Sequence, residues 1–119
     1  MVKSKQPRKQ RKNLYSKPLH ARKAELNVHL SDELAAKLAT KRRSVVVRKG
    51  DKVNIVRGRF VGKSGKVSSV DYKDYVIYVE GITIRNGKGE EKAAAIRPQS
   101  AVIVDGDFSS AGRKNIISR

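Results

Sequence analysis

From Val45 to Val104 the apolar residues fall into short runs with a period of two. A chain patterned in this way has little choice but a compact, bent β-sheet. Val53 and Ile55 alternate with polar residues after the Gly50-Asp51 turn, Val67 to Val70 follows Gly65, and Tyr75 to Val79 follows the Tyr72-Lys73-Asp74 turn. Ile82-Thr83-Ile84, Ala93 to Ile96 and Ala101 to Val104 continue the series, with Gly87-Lys88-Gly89 and Pro98 as punctuation. Short strands at nearly regular spacing predict a small barrel. Val67 and Val70 stand three apart and would face opposite sides of a flat strand, so a bulge is expected at Ser68-Ser69. The alternation assigns Val53, Ile55, Val67, Val76, Tyr78 and Ile84 to the core.

The segments before and after differ in character. Residues 1–23 hold nine basic side chains (Lys3, Lys5, Arg8, Lys9, Arg11, Lys12, Lys17, Arg22 and Lys23) and no acidic one. With few apolar residues, prolines at Pro7 and Pro18 and no sustained period, this arm is expected to be disordered when alone, and its charge reads as an arm that folds along RNA, against a solubilising tail or a localisation signal. In residues 24–44, Ser31-Asp32-Glu33 opens a short helix over Leu34 to Ala39, with Ser31 as N-cap and two acids at the positive end of the dipole. Leu30, Leu34 and Leu38 give it a narrow apolar face. Lys41-Arg42-Arg43 closes the segment, either as the basic end of that helix or as a phosphate contact. Residues 105–119 read as a tail with a marginal turn of helix around Arg113 to Ile117.

The charge balance narrows the partner. Lys and Arg number 28 against 11 Asp and Glu, a net charge of +17 in 119 residues. That is the electrostatic footprint of a polyanion binder, with nucleic acid as the leading partner. No apolar run approaches 18 residues and no helix has a broad apolar face, which argues against a membrane. The opening Met1-Val2-Lys3-Ser4 leads into no apolar stretch, and the chain has no cysteine. The expectation is therefore a cytosolic protein without a disulfide framework.

The stretch GRFVGKSG, Gly58 to Gly65, superficially resembles a nucleotide-binding phosphate loop. That motif needs four residues between its first glycine and the Gly-Lys pair, followed by a helix. Gly58 leaves only Arg59, Phe60 and Val61 before Gly62-Lys63, and the following Gly65-Lys66-Val67-Ser68-Ser69-Val70 has no helical period. The NTPase reading fails on both counts. The alternative is a basic turn facing a nucleic-acid backbone. Gly58, Gly62 and Gly65 would supply positive φ or leave the backbone bare for close approach of a phosphate, and Arg57, Arg59, Lys63 and Lys66 would supply the charge. Arg48 and Lys49 at the entry to this region join the same set.

His20 and His29 have no cysteines or carboxylate cluster at metal-ligand spacing, so no metal or other cofactor is expected. No nucleophile, base and orienting group occur together, and Asp105-Gly106-Asp107 reads as a turn. Tyr72, Tyr75 and Tyr78 are candidates for base stacking. Strand alternation sets Tyr75 and Tyr78 on opposite faces, against a shared platform.

The segment RKGDKVNIVRGRFVGKSGKV, Arg48 to Val67, resembles a KOW motif, with its Gly50-Asp51 entry, alternating apolar positions, Gly62 and the Gly65-Lys66-Val67 exit. A KOW motif alone is shared with transcription elongation factors of the NusG and Spt families, whose modules bind polymerase or other proteins. Here YVIYVEGI, IRPQSAVIV, the helix LSDELAAKL and a basic arm containing ARK extend the match over nearly the whole chain. Together they resemble the universal large-subunit ribosomal protein twenty-four family in its archaeal and eukaryotic branch. The resemblance implies a mainly β fold, a small SH3-like β-barrel with a KOW motif at 45–104. A helix and linker at 24–44 and a basic, extended RNA-binding arm at 1–23 would precede it, with a C-terminal tail at 105–119 after it. It also implies a non-enzymatic protein in cytoplasmic ribosomes. Such a protein binds large-subunit ribosomal RNA (rRNA) near its 5′ region and near the polypeptide exit, touches neighbouring ribosomal proteins and supports assembly.

Overall fold

A computed structural model describes residues 2–119. Its strands are β1 (Asn27–Leu30), β2 (Ser44–Val46), β3 (Lys52–Ile55), β4 (Ser64–Asp71), β5 (Val76–Arg85), β6 (Glu91–Ile96) and β7 (Ala101–Asp105). They form one sheet in the order β2-β1-β7-β3-β4-β5-β6. β1 and β7 run parallel, with His29 opposite Val102, and the other neighbours are antiparallel. The fold is mainly β, as the period of two predicts. β1 lies within 24–44, ahead of the first strand that the alternation marks.

The sheet bends sharply along β4. Ser64, Gly65 and Lys66 pair with β3, whereas Val67 to Asp71 pair with β5. The register shifts between Val67 and Ser69, which is the expected bulge. An extra residue on one strand raises local twist. The bend brings both halves of the sheet around one core, with Val28, Val45, Val53 and Ile103 from one half and Val67, Ile77, Val79 and Ile96 from the other.

The core assignment needs correction on β5. Val53, Ile55 and Val67 are buried, but Val76 and Tyr78 are only half-buried and Ile84 is 39% exposed. Ile77, Val79 and Ile82 take the inward positions instead. Residues 77 and 82 have opposite parity, so the alternation breaks between them. It breaks at Gly81, whose φ of +78° lies in the left-handed region, inside the stretch where the β5–β6 register also shifts. One irregular residue moves every later side chain to the other face.

Helix α1 (Pro7–Ser16) and the single turn α2 (Leu19–Arg22) replace the expected extended arm. Pro7 stands in the first turn, where its missing N–H costs nothing. Lys17, restricted by Pro18 behind it, leaves the helical region with ψ of 134° and ends α1. Between them, Arg, Lys and Gln are good helix formers. No residue of α1 is buried. Ten residues are too few for a stable isolated helix in water, so its anchorage to the sheet decides its order.

Ser31 caps α3 (Asp32–Lys37), its Oγ accepting from Leu34 N–H at 3.2 Å. Ala39, with φ of 48°, ends the helix. Thr40 N–H then bonds back to Ala35 O at 3.2 Å, in the manner of a left-handed helix cap. Lys41-Arg42-Arg43 therefore lies beyond the helix and is not its basic terminus. Near the C-terminus α4 (Ala111–Ser118) forms a longer helix than the marginal turn expected.

Candidate nucleic-acid interface

GRFVGKSG forms the turn between β3 and β4, and strand rather than helix follows Lys63. Ile55 closes the turn twice, accepting from Gly62 N–H and donating to Lys63 O, both at 2.9 Å. Gly58 and Gly62 have φ of +94° and +86°, and a Cβ at either would meet open space. These two glycines supply conformation and an uncovered backbone, as expected. Gly65 does neither. A Cβ there would lie 2.7 Å from Glu80 O and 2.8 Å from Val79 Cγ1, so the close approach it permits is that of β5 within the fold.

Half-buried Phe60 is the platform of the turn. The Arg59 guanidinium lies 6.0 Å and the Lys63 ammonium 5.5 Å from its ring centroid. A cation over a ring face is attracted to its quadrupole, which biases both charges toward the turn. Arg57, Arg59, Lys63 and Lys66 are all exposed. Lys66 stands directly opposite Lys52 across the β3–β4 ladder. Like charges at that spacing repel, and Asp105 stands opposite Lys52 on its other side, across the β3–β7 ladder. Nothing in the sequence singles out Lys52, because only strand register reveals its neighbour.

Along the arm, Lys3, Lys5, Arg8, Lys9, Arg11, Lys12 and Lys23 are exposed. Lys17 and Arg22 are not free in the same way. Lys17 pairs with Glu25. Arg22 donates from Nε to Lys17 O at 2.9 Å, from Nη2 to Tyr15 O at 2.6 Å and from Nη1 to Lys73 O at 3.2 Å. Its guanidinium also lies 5.7 Å from the Tyr75 ring centroid, while Tyr75 Oη donates to Leu14 O at 3.0 Å. Arg22 and Tyr75 thus fasten the C-terminal end of α1 to the β4–β5 turn. Tyr75, engaged in this way, forms no platform with Tyr72 and Tyr78, which line a separate groove.

Lys41, Arg42, Arg43 and Lys49 are exposed. Arg48 is half-buried, its Nη1 donating to Ser110 Oγ at 2.9 Å and its backbone N–H to Asp51 Oδ2 at 2.8 Å. Asp107 close by is exposed, and its carboxyl is held below the usual carboxylate range. Hydrogen bonds from the Ser109 hydroxyl and N–H cause most of this, with smaller help from the charges of Arg113 and Arg48.

Among the described residues, no group of three or more His, Cys, Asp or Glu is arranged to hold a metal. Nor is any helix among them long and apolar enough to cross a membrane. Only three ion pairs form among them, Lys17–Glu25, Arg85–Glu91 and Arg113–Asp51, so most of the cationic side chains have no carboxylate partner. In chemical terms a bent β-sheet with exposed cations on a turn set by two glycines and on a basic helix carries the electrostatic footprint expected of a polyanion binder. The family model for the eukaryotic ribosomal proteins L26 and their archaeal counterparts matches residues 4–119, and the chain belongs to that family. It is 47% identical over 114 residues to the large ribosomal subunit protein uL24 of Pyrobaculum islandicum, covering 96% of this chain and 91% of the relative. The protein of the same name from Methanosphaera stadtmanae is 44% identical over 116 residues, covering 98% of this chain and 97% of the relative. As a member of this family the chain is a structural, non-enzymatic protein.

Proposed function

We propose that this protein is a structural constituent of the large subunit of cytoplasmic ribosomes, that it binds large-subunit rRNA near the polypeptide exit tunnel, and that it supports folding of that RNA during assembly beside neighbouring ribosomal proteins. The observation that carries the proposal is the β3–β4 turn. Arg57, Arg59 and Lys63 project from a turn set by Gly58 and Gly62 and propped on Phe60, with no carboxylate paired to them among the described residues. Arg forks onto phosphate or stacks on an unpaired base, and Lys acts as a point charge.

In this reading the bent sheet is an SH3-like barrel and Arg48 to Val67 is its KOW motif. The single core drawn from both halves of the sheet supports this, as does the bulge where β4 passes from one half to the other. Residues 1–23 act as the RNA-binding arm, residues 24–44 join it to the barrel at 45–104 and add β1 to the sheet between β2 and β7, and 105–119 closes the fold. Lys41, Arg42, Arg43, Lys49 and Lys66 extend the phosphate-binding surface beyond the turn. The core runs from Leu26 to Ile103 with Arg113 buried beside it, a small domain to which bound RNA adds stability by mass action. Photocrosslinking the purified protein in cell extract and sequencing the attached RNA tests the proposal. Large-subunit rRNA joined through the β3–β4 turn and the arm is expected, and reads dominated by messenger or transfer RNA would reject it.

A further inference from the structure

Three stretches far apart in sequence meet in a cleft that no motif announces. Residues 20–24 at the end of the arm, 45–48 on and after β2, and 112–116 on α4 line it together. Its floor is apolar, with half-buried Val46 and Ile116 over buried Val45. Lys23 and Arg48 are among its cationic lining residues, His20 stands with them, and no carboxylate lines it. Asp51, the nearest acid along the chain from Arg48, is neutralised by Arg113 and turned into the fold.

Arg48 is held in place beside the cleft. Its Nη1 is spent on Ser110 Oγ, and its Nη2 lies beside the α4 backbone, 3.7 Å from where a Cβ of Gly112 would stand. No bond is made by that Nη2 or by the Lys23 ammonium among the described residues. Because Ser110 Oγ faces Arg48, it makes no side-chain cap for α4. An apolar floor with a cationic rim suits a flat aromatic ring that carries an anionic group, since the ring loses water on the floor and the anion meets the charges at the edge.

We infer that this cleft is a site for one unstacked nucleotide of an RNA strand, its base on Val46 and Ile116 and its phosphate between Arg48 and Lys23. The inference rests on the RNA-binding reading above and adds a place where a base, as well as the backbone, is held. The occupant is a strand rather than a free nucleotide, because Lys23 at the cleft belongs to the same basic arm whose exposed Lys3, Lys5, Arg8, Lys9, Arg11 and Lys12 offer a strand further phosphate contacts.

The test is a titration of the full chain, labelled with 15N, with a six-nucleotide single-stranded oligoribonucleotide. Parallel titrations use a nucleoside 5′-monophosphate and an acidic peptide containing aromatic residues. With the oligonucleotide the amides of Val46, Gly112 and Ile116 should shift and saturate together with those of Arg59 and Lys63, and the monophosphate should act far more weakly. Lys23→Glu, on a side chain with no partner to lose, should weaken the oligonucleotide's effect at the cleft roughly tenfold. It should also lower the slope of log K against log salt by about 0.7. Ile116→Ala should reduce the preference for a base over an abasic strand. Shifts confined to the β3–β4 turn and α1 would overturn the cleft while leaving the RNA-binding reading intact, and no shifts anywhere would overturn both. Saturation by the peptide or the monophosphate as readily as by the strand would also overturn it, by assigning the cleft a protein or a free nucleotide.

Discussion

Arg113 on α4 and Asp51 after β2, 62 residues apart in sequence, form a buried two-pronged ion pair. Nη1 meets Oδ1 at 2.8 Å and Nη2 meets Oδ2, while Nη1 and Nη2 also donate to Asp107 O at 2.9 Å and Val46 O at 3.0 Å. The guanidinium stacks 4.7 Å from the Phe108 ring centroid, and Arg113 is only 1% exposed. Gly106 makes room for the pair, since a Cβ there would lie 2.7 Å from Asp51 Oδ1. The C-terminal helix is thereby tied to the start of the β3–β4 hairpin.

Removing one partner leaves an uncompensated buried charge. Arg113→Ala and Asp51→Ala should each destabilise the protein by roughly 3–5 kcal/mol. The double substitution should cost clearly less than the two single losses together, because it leaves no charge behind. Urea unfolding of the four proteins checks this, and strictly additive losses would contradict it.

The glycines of the turn should separate by mechanism. Gly62→Ala meets no atom but holds a left-handed backbone, so a loss of about 1–2 kcal/mol is expected. Gly65→Ala has an ordinary φ but drives a methyl into Glu80 O and Val79, where backbone must move. It should lower Tm more than Gly62→Ala and disturb the β4–β5 amides. The order of the two melting temperatures decides between conformational and steric roles.

Arg22 should behave as a fastener and not as a phosphate contact. Arg22→Ala should release α1, seen as faster amide hydrogen exchange over residues 8–16, while sheet amides stay protected. Deleting residues 2–16 should make RNA binding less salt-dependent, by about 0.7–0.9 in the slope of log K against log salt for each phosphate that is no longer bound. An unchanged slope would show that the arm binds no phosphate.

Asp107 should titrate below the usual carboxylate range, because of the hydrogen bonds it accepts from Ser109. Its folded midpoint is depressed, so its contribution to stability is present above the usual carboxylate range and is lost as pH falls through that midpoint. Carboxyl carbon shifts followed by NMR measure it directly. Ser109→Ala, which removes the strongest of its hydrogen bonds, should bring the midpoint back toward the ordinary range.

The strands are legible in the sequence because short-range alternation records which face is buried, and the bulge is legible because Val67 and Val70 break that alternation. β5 beyond Val79 is not, because Gly81 transfers the inward face by one residue and its letter alone does not say so. α1 is hidden by its charge, although Pro7 and Pro18 mark its two ends. In the candidate site, the charges of the turn and the hinge roles of Gly58 and Gly62 can be read from local spacing. The anchoring role of Arg22, the Lys52–Lys66 pairing and the Arg113–Asp51 bond cannot, since each depends on which distant strand or helix lies alongside.

Gradient sedimentation of cell extract containing a tagged copy measures whether the protein joins the large subunit through RNA. The protein should travel with the large subunit and remain there through a moderate-salt wash, because many distributed cations resist partial screening. Replacing Arg57, Arg59 and Lys63 together with Gln should increase the fraction stripped by the wash. Migration of the unaltered protein with RNA polymerase, or at the top of the gradient free of RNA, would contradict the account.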